Sequence, residues 1–177
     1  PSNITWFWNT QNILNWIDFN KESKCSGEID LTYVGAHKQN RAHRLYELTK
    51  GFEESDLRFE AYGLINVMNR VSHLRAVRPG DINGILSRSK YTIYLTNQTV
   101  PGKLNYRLFE SLSSGAICLI DKRTTLGINE LKKYEVETAS DVIDVIKTNK
   151  FDKNDQFGLV KSIALKQYEA NISLTAV

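Results

Sequence analysis

No apolar run in this sequence approaches the roughly 20 residues that a membrane-spanning helix needs; Ala116-Ile117-Cys118-Leu119-Ile120 stops after five. A transmembrane segment is therefore not expected. A secretory signal is not expected either, because the apolar opening Ile4-Thr5-Trp6-Phe7-Trp8 has no charged lead-in before it. Cysteine is scarce: Cys25 and Cys118 lie far apart, with no CxxC spacing and no histidine cluster. That excludes a disulfide framework, argues against a zinc site, and points to a reducing, cytoplasmic compartment. Charge of one sign is lacking too. The 23 basic and 20 acidic residues leave only +3, which by itself implies no nucleic-acid partner, since phosphate-driven binding shows as a concentrated basic patch. Low-complexity stretches and internal repeats are also missing.

What is present is the balance of an ordinary globular domain: 177 residues, 41% hydrophobic and 24% charged. The first residue is Pro1 rather than Met, so the chain is expected to be an excised part of something longer. Asn9 to Gly27 is polar and aromatic without a periodic signal, and residues 1–28 read as an entry linker to a domain over 29–177. Within that domain short β-branched or aromatic runs alternate with segments of helical period, the pattern of a parallel sheet covered by helices on both faces. Strands are expected at Ile29 to Val34, Leu57 to Tyr62, Leu74 to Val77, Tyr91 to Leu95, Ala116 to Asp121 and Tyr134 to Glu137. Helices are expected at Asn40 to Lys50, Asp81 to Ser89, Leu104 to Ser114, Ser140 to Thr148 and Asp155 to Ala170. Asp81 and the pair Ser140-Asp141 read as N-caps, and Gly115 as a C-terminal glycine with positive φ. Cys118 reads as a small core residue rather than a nucleophile.

A doubly wound sheet binds its ligands beyond the carboxyl ends of the strands, so the residues just after each strand carry the functional signal. Gly35-Ala36-His37-Lys38-Gln39-Asn40-Arg41 follows the first strand and opens a helix that also carries Arg44. A glycine for close approach, free N–H groups at a helix start, and the charges of Lys38 and Arg41 suit a diphosphate. A strand-to-helix turn with solvated basic residues fits that stretch equally well. Tyr62-Gly63-Leu64 and Arg78-Pro79-Gly80-Asp81 are turn chemistry whose main-chain groups would line the same crevice. The most informative stretch is the loop Thr96 to Lys103 and the helix after it, which opens with Asn105, Arg107 and Glu110. Arg107 and Glu110 share one helical face. A guanidinium can fork onto a phosphate, and a carboxylate can accept both hydroxyls of a ribose. A surface ion pair is the alternative, but the helix begins at the crevice edge and has Leu108, Phe109 and Leu112 to bury its other side.

The run Arg107-Leu108-Phe109-Glu110-Ser111-Leu112-Ser113-Ser114-Gly115-Ala116-Ile117-Cys118-Leu119-Ile120 resembles the arginine, apolar, apolar, glutamate helix and following strand in the C-terminal, nucleotide-sugar-binding domain of GT-B glycosyltransferases. Together with Ile29-Asp30-Leu31-Thr32-Tyr33-Val34-Gly35 and Phe59-Glu60-Ala61-Tyr62-Gly63, it is similar more narrowly to the phage DNA glucosyltransferases, from the linker to about Thr148. The resemblance implies a Rossmann-like sheet of about six strands and a UDP-sugar donor, UDP-glucose first, with a divalent metal left open. It implies that Gly35 approaches the diphosphate, that Lys38 and Arg41 stand for the family's basic residues, that Arg107 binds phosphate and Glu110 ribose, and that Arg78 to Gly80 hold uracil through the main chain. Gly63, Lys103 and Asn105 complete the implied donor set. Ala36 in place of serine and a shortened turn at Asn40 depart from the pattern.

In that family the general base sits in an N-terminal domain. Asp30, Asp81 and Asp121 read as capping or solvated groups, and His37 as a phosphate contact, so no base is expected in this chain. The implied partners are the nucleotide-sugar, an N-terminal acceptor domain in the same or another chain, and DNA with hydroxymethylated bases as acceptor; no membrane is implied. A saccharide, a protein or a small molecule is the alternative acceptor. A nucleotide-binding module without catalysis is the alternative class.

Overall fold

The structure is a computed structural model that describes residues 25–35, 39–63, 74–75, 81–95, 104, 106–124 and 126–175. Six strands form one sheet: β1 (Ile29–Val34), β2 (Phe59–Tyr62), β3 (Leu74–Arg75), β4 (Ser89–Tyr94), β5 (Ile117–Asp121) and β6 (Glu135–Val136). Their order is β3-β2-β1-β4-β5-β6, and every neighbouring pair is parallel. The helices are α1 (Gln39–Thr49), α2 (Ile82–Leu86), α3 (Tyr106–Ser113), α4 (Ala139–Thr148) and α5 (Lys153–Thr175). The expected Rossmann-like sheet with helices on both faces is what the chain forms. None of the described helices is long and apolar enough to cross a membrane.

The two faces follow from the two-residue period of the strands. Leu31, Tyr33, Ala61, Tyr91, Ile93, Ile117 and Leu119 cluster with Leu45 and Leu48 of α1 and with Val142, Val145 and Ile146 of α4. Tyr94, Cys118 and Ile120 cluster with Leu108, Phe109 and Leu112 of α3 and with Val160, Ile163 and Ala164 of α5. Val34 and Tyr62 pack against Leu86 of α2. β1 leads to β2 on one side while β4 leads to β5 on the other, so the winding reverses between the adjacent strands β1 and β4. Their register, Leu31 opposite Tyr91 and Thr32 opposite Thr92, brings their carboxyl ends out side by side.

Several boundaries depart from the sequence reading for local reasons. Asp81 occupies the N-cap position of α2 but makes no side-chain cap bond. Its φ of −92° and ψ of −8° already place it in the right-handed region, not the extended backbone from which a cap side chain reaches forward. α2 also ends at Leu86, and Ser89, expected in the helix, opens β4 opposite Ile29. At α4 the cap is Thr138 instead of Ser140-Asp141: Asp141 donates its N–H to Thr138 Oγ1 at 3.1 Å, and the Asp141 carboxylate accepts the N–H of Thr138 at 2.9 Å. A capping box of this kind contributes about 1 kcal/mol. Backbone N–H groups of Thr138 and Glu137 hold the Asp141 carboxyl below its ordinary value. The contribution is thus complete at neutral pH and is lost only as pH falls through that lowered value. α5 begins two residues before the expected start because Asp152 accepts the N–H groups of Asn154 and Asp155 at 2.7 and 3.0 Å. Gly115 has the positive φ expected of it, 85°, and ends α3 in a Schellman motif, with its own N–H on the Leu112 carbonyl and that of Ala116 on Ser111. Two 3-10 turns, Lys122–Thr124 and Asn129–Tyr134, had no signal in the sequence.

The crevice beyond β1 and β4

Gly35 is the first residue past β1, and its N–H continues the sheet by donating to the Tyr62 carbonyl at 3.0 Å. It also has no room for a side chain. A Cβ there would stand 2.5 Å from the Tyr33 hydroxyl oxygen and 2.9 Å from Cζ. Tyr33, only 2% exposed, thus packs the end of its side chain against Gly35. Arg41 in the first turn of α1 and Arg107 of α3 are near enough for their charges to act on its phenol. Burial raises the Tyr33 phenol pKa above its ordinary value, and the two arginines oppose that rise. Arg41 is half-buried, and its Nε has no hydrogen-bond partner among the described residues.

Arg107 and Glu110 form an ion pair through Arg107 Nη1 and Glu110 Oε2. The side chains are 25% and 11% exposed, so this is not the solvated surface pair worth a few tenths of a kcal/mol. A guanidinium has five N–H donors, and an ion pair through one nitrogen is compatible with gripping an anion as well. Of the residues expected to bind donor, Gly35 lies against the Tyr33 hydroxyl, Arg41 and Arg107 are near enough for their charges to act on that phenol, and Glu110 is paired to Arg107. Gly63 is buried at the end of β2. Lys38, Arg78, Gly80, Lys103 and Asn105, together with His37, lie outside the described residues.

The acidic residues sort differently from the sequence reading. Asp30 accepts the Arg58 N–H at 2.9 Å and Lys90 Nζ at 2.8 Å, near the amino end of β1 and away from the crevice. Asp121, read as a capping or solvated group, is 4% exposed. It accepts Arg44 Nε and Nη2 at 3.0 and 2.7 Å, and only a longer bond from the Arg123 N–H, 3.3 Å, resembles a cap. Arg44 also donates to the Glu137 carbonyl at 2.7 Å, so α1 is tied to the ends of both β5 and β6. Cys118 is fully buried, and burial pushes its thiol up to about 11, which keeps it protonated and unsuited to attack. A cavity of about 320 Å³ beside β6 is lined by Lys122, Glu137, Asp141 and Phe151 among others, and of the described residues expected to bind donor none lines it.

The sequence reading missed Tyr33. A tyrosine near the end of an apolar strand reads as core, and its ring is core; only the glycine two residues on marks a close approach that the hydroxyl fills.

A family model described as glycosyl transferase-like matches residues 35–157, a span that begins at Gly35 and contains Arg41, Arg107 and Glu110. Among solved structures the chain is similar to the crystal structure of the DNA modifying enzyme beta-glucosyltransferase, in the presence and absence of the substrate uridine diphosphoglucose. The likeness has 14% identity and a TM-score of 0.67, and it covers 90% of this chain and 53% of that one. The shared fold is one half of a GT-B architecture, and the chain spans about half the length of that structure. No curated protein matches the chain in sequence.

Proposed function

This chain belongs to the glycosyl transferase-like family, and on that premise we propose that it is the donor-binding half of a two-domain transferase that moves glucose from UDP-glucose to a hydroxyl acceptor. The observation that carries the reading is the placing of Arg41 and of the Arg107–Glu110 pair at the starts of the helices that follow β1 and β4, on opposite faces of the sheet and at the winding reversal where such folds bind nucleotides. Arg107 and Arg41, with Lys38, hold the diphosphate; Glu110 exchanges part of its ion pair for the ribose hydroxyls. Gly35 and Gly63 let the backbone approach the donor, the main chain of Arg78 to Gly80 holds uracil, and Lys103 and Asn105 stand at the rim.

In the transfer the acceptor oxygen bonds to the anomeric carbon as the bond from that carbon to the phosphate oxygen breaks, and UDP leaves with the electron pair. The arginines stabilise the charge that grows on the leaving oxygen, an electrostatic role that is strongest in the transition state. The acceptor proton goes to a base on a second, N-terminal domain. Support for that domain comes from the half-length coverage of the similar structure. A hydroxymethylated base in DNA is the acceptor, supported by the description of that enzyme as DNA modifying. The two unpaired thiols suit a cytoplasmic setting.

UDP at a hundredfold excess over its Kd should stabilise the chain by about 2.7 kcal/mol, raising its Tm by roughly 5–10 °C for a domain of this size. Arg107→Ala and Glu110→Ala should each abolish the shift. A shift with another nucleotide and none with millimolar UDP would remove the uridine assignment. The chain alone should transfer no sugar, and turnover onto hydroxymethylated DNA without added protein would refute the half-enzyme reading.

A further inference from the structure

We propose that Arg44 is a positioning residue for the donor diphosphate: bound to Asp121 and to the Glu137 carbonyl, it fixes how α1 lies on the sheet and so where Arg41 stands at the crevice. The inference rests on the donor-site reading above. α1 follows β1, yet the bonds of Arg44 reach two and three strands away, to the carboxyl ends of β5 and β6. Its Nε and Nη2 donate to Asp121 Oδ1 at 3.0 and 2.7 Å, Nη2 donates also to the Glu137 carbonyl at 2.7 Å, and Nη1 donates to Glu47 Oε2 at 2.9 Å. All three nitrogens are engaged within the protein, so Arg44 is not itself the group that grips a phosphate. Arg41 differs: its buried Nε has no hydrogen-bond partner among the described residues.

Stability alone does not explain the pair. Arg44 and Asp121 are 8% and 4% exposed, and at that depth apolar side chains of similar volume hold a fold as well. Leu45 and Leu48 already seat α1 on the sheet, in the cluster with Leu31 and Ile93. Apolar contact has no direction, however, and leaves a helix free to slide and turn. Charge-assisted bonds to two acceptors have direction and remove that freedom. The register of β5 and β6, Asp121 opposite Val136, brings the two acceptors together. Residues three apart on a helix are separated by about 4.5 Å along the axis and about 60° around it, so fixing position 44 dictates position 41.

The experiment is a titration of UDP and of uridine into the native chain, Arg44→Met/Asp121→Leu, Arg44→Lys, and Arg41→Gln with and without the double replacement, at a temperature where all are folded. The double replacement keeps the packing and loses the direction. It should weaken UDP about tenfold, as the loss of a bond to a charged group does, and leave uridine unchanged, because uracil and ribose are assigned to residues outside α1. In the Arg41→Gln background it should cost UDP much less. Arg44→Lys keeps the charge beside Asp121 but has one nitrogen where Arg44 uses three. It should show the same selective loss, and it keeps the test open if the double replacement does not fold. Equal weakening of UDP and uridine, an undiminished loss beside Arg41→Gln, or full UDP affinity in the double replacement while Arg107→Ala abolishes binding would overturn this inference alone. Failure of the native chain to bind UDP would overturn the donor-site reading and this inference with it.

Discussion

Replacing Asp121 with alanine is expected to remove about 3–5 kcal/mol of folding stability, the usual cost of stripping one partner from a buried ion pair, and so to lower Tm by roughly 6–20 °C. Both partners are buried, and Arg44 reaches Asp121 through two nitrogens while a third bond goes to the Glu137 carbonyl. Without that carboxylate, the largely buried guanidinium loses two of its bonds and keeps its charge beside the partly exposed Glu47, which accepts Arg44 Nη1 at 2.9 Å. The double replacement Arg44→Met/Asp121→Leu should recover much of the loss, since apolar groups of similar volume replace buried pairs at little cost. Arg123 provides the contrast. Its bond to Glu47 is 3.0 Å long, but the arginine is 62% exposed, and Arg123→Ala should stay within about 0.5 kcal/mol. Urea denaturation of the four proteins separates these outcomes. The loss should also reach the crevice: Arg44 lies one turn beyond Arg41 on α1, so at temperatures where Asp121→Ala is still folded, UDP should bind it more weakly than it binds the native chain.

That pair also marks where the sequence stops being legible. β1 has the bounds expected for it, Ile29–Val34, because its alternation is written in adjacent residues. Gly115 could be placed because positive φ after an amphipathic helix is a local demand that glycine meets. The Arg44 to Asp121 bond joins residues 77 positions apart, and nothing near either of them announces the other. Alone, an aspartate at a strand end looks like a cap. The misplaced caps have a different origin. Thr138, Ser140 and Asp141 are all good cap residues within four positions, and the choice of Thr138 depends on the carboxylate of Asp141 reaching back to two N–H groups at once. At the crevice the residue types and their order could be read, but that the helices carrying Arg41 and Arg107 start beside each other could not, because it depends on strand order. Once β1 and β4 are neighbours, the starts of α1 and α3 must meet.

Gln156→Ala is expected to be as damaging as the loss of Asp121, by about 2–6 kcal/mol, since two buried backbone groups lose their partners at about 1–3 kcal/mol each. β6 is only two residues long and pairs with Ile120 and Asp121, so the amino half of β5 has no strand on that side. The fully buried Gln156 of α5 takes the vacant place. Its Oε1 accepts the Cys118 N–H at 2.8 Å and its Nε2 donates to the Cys118 carbonyl at 2.7 Å, the two bonds that a neighbouring strand would supply. Glutamate at 156 would keep the acceptor but set a carboxylate oxygen against the Cys118 carbonyl in place of a donor, so Gln156→Glu should be no better tolerated at neutral pH. Thermal unfolding of both variants measures the cost. Their donor affinity should behave unlike that of Asp121→Ala. Gln156 holds α5 against β5, and α5 meets α3 in a shared apolar cluster that does not include Arg107 or Glu110, so at temperatures where the variants are folded, UDP should bind them as it binds the native chain. A selective loss of UDP binding in Gln156→Ala would mean that the position of α3, and with it the Arg107 and Glu110 pair, depends on α5 and not on the sheet alone.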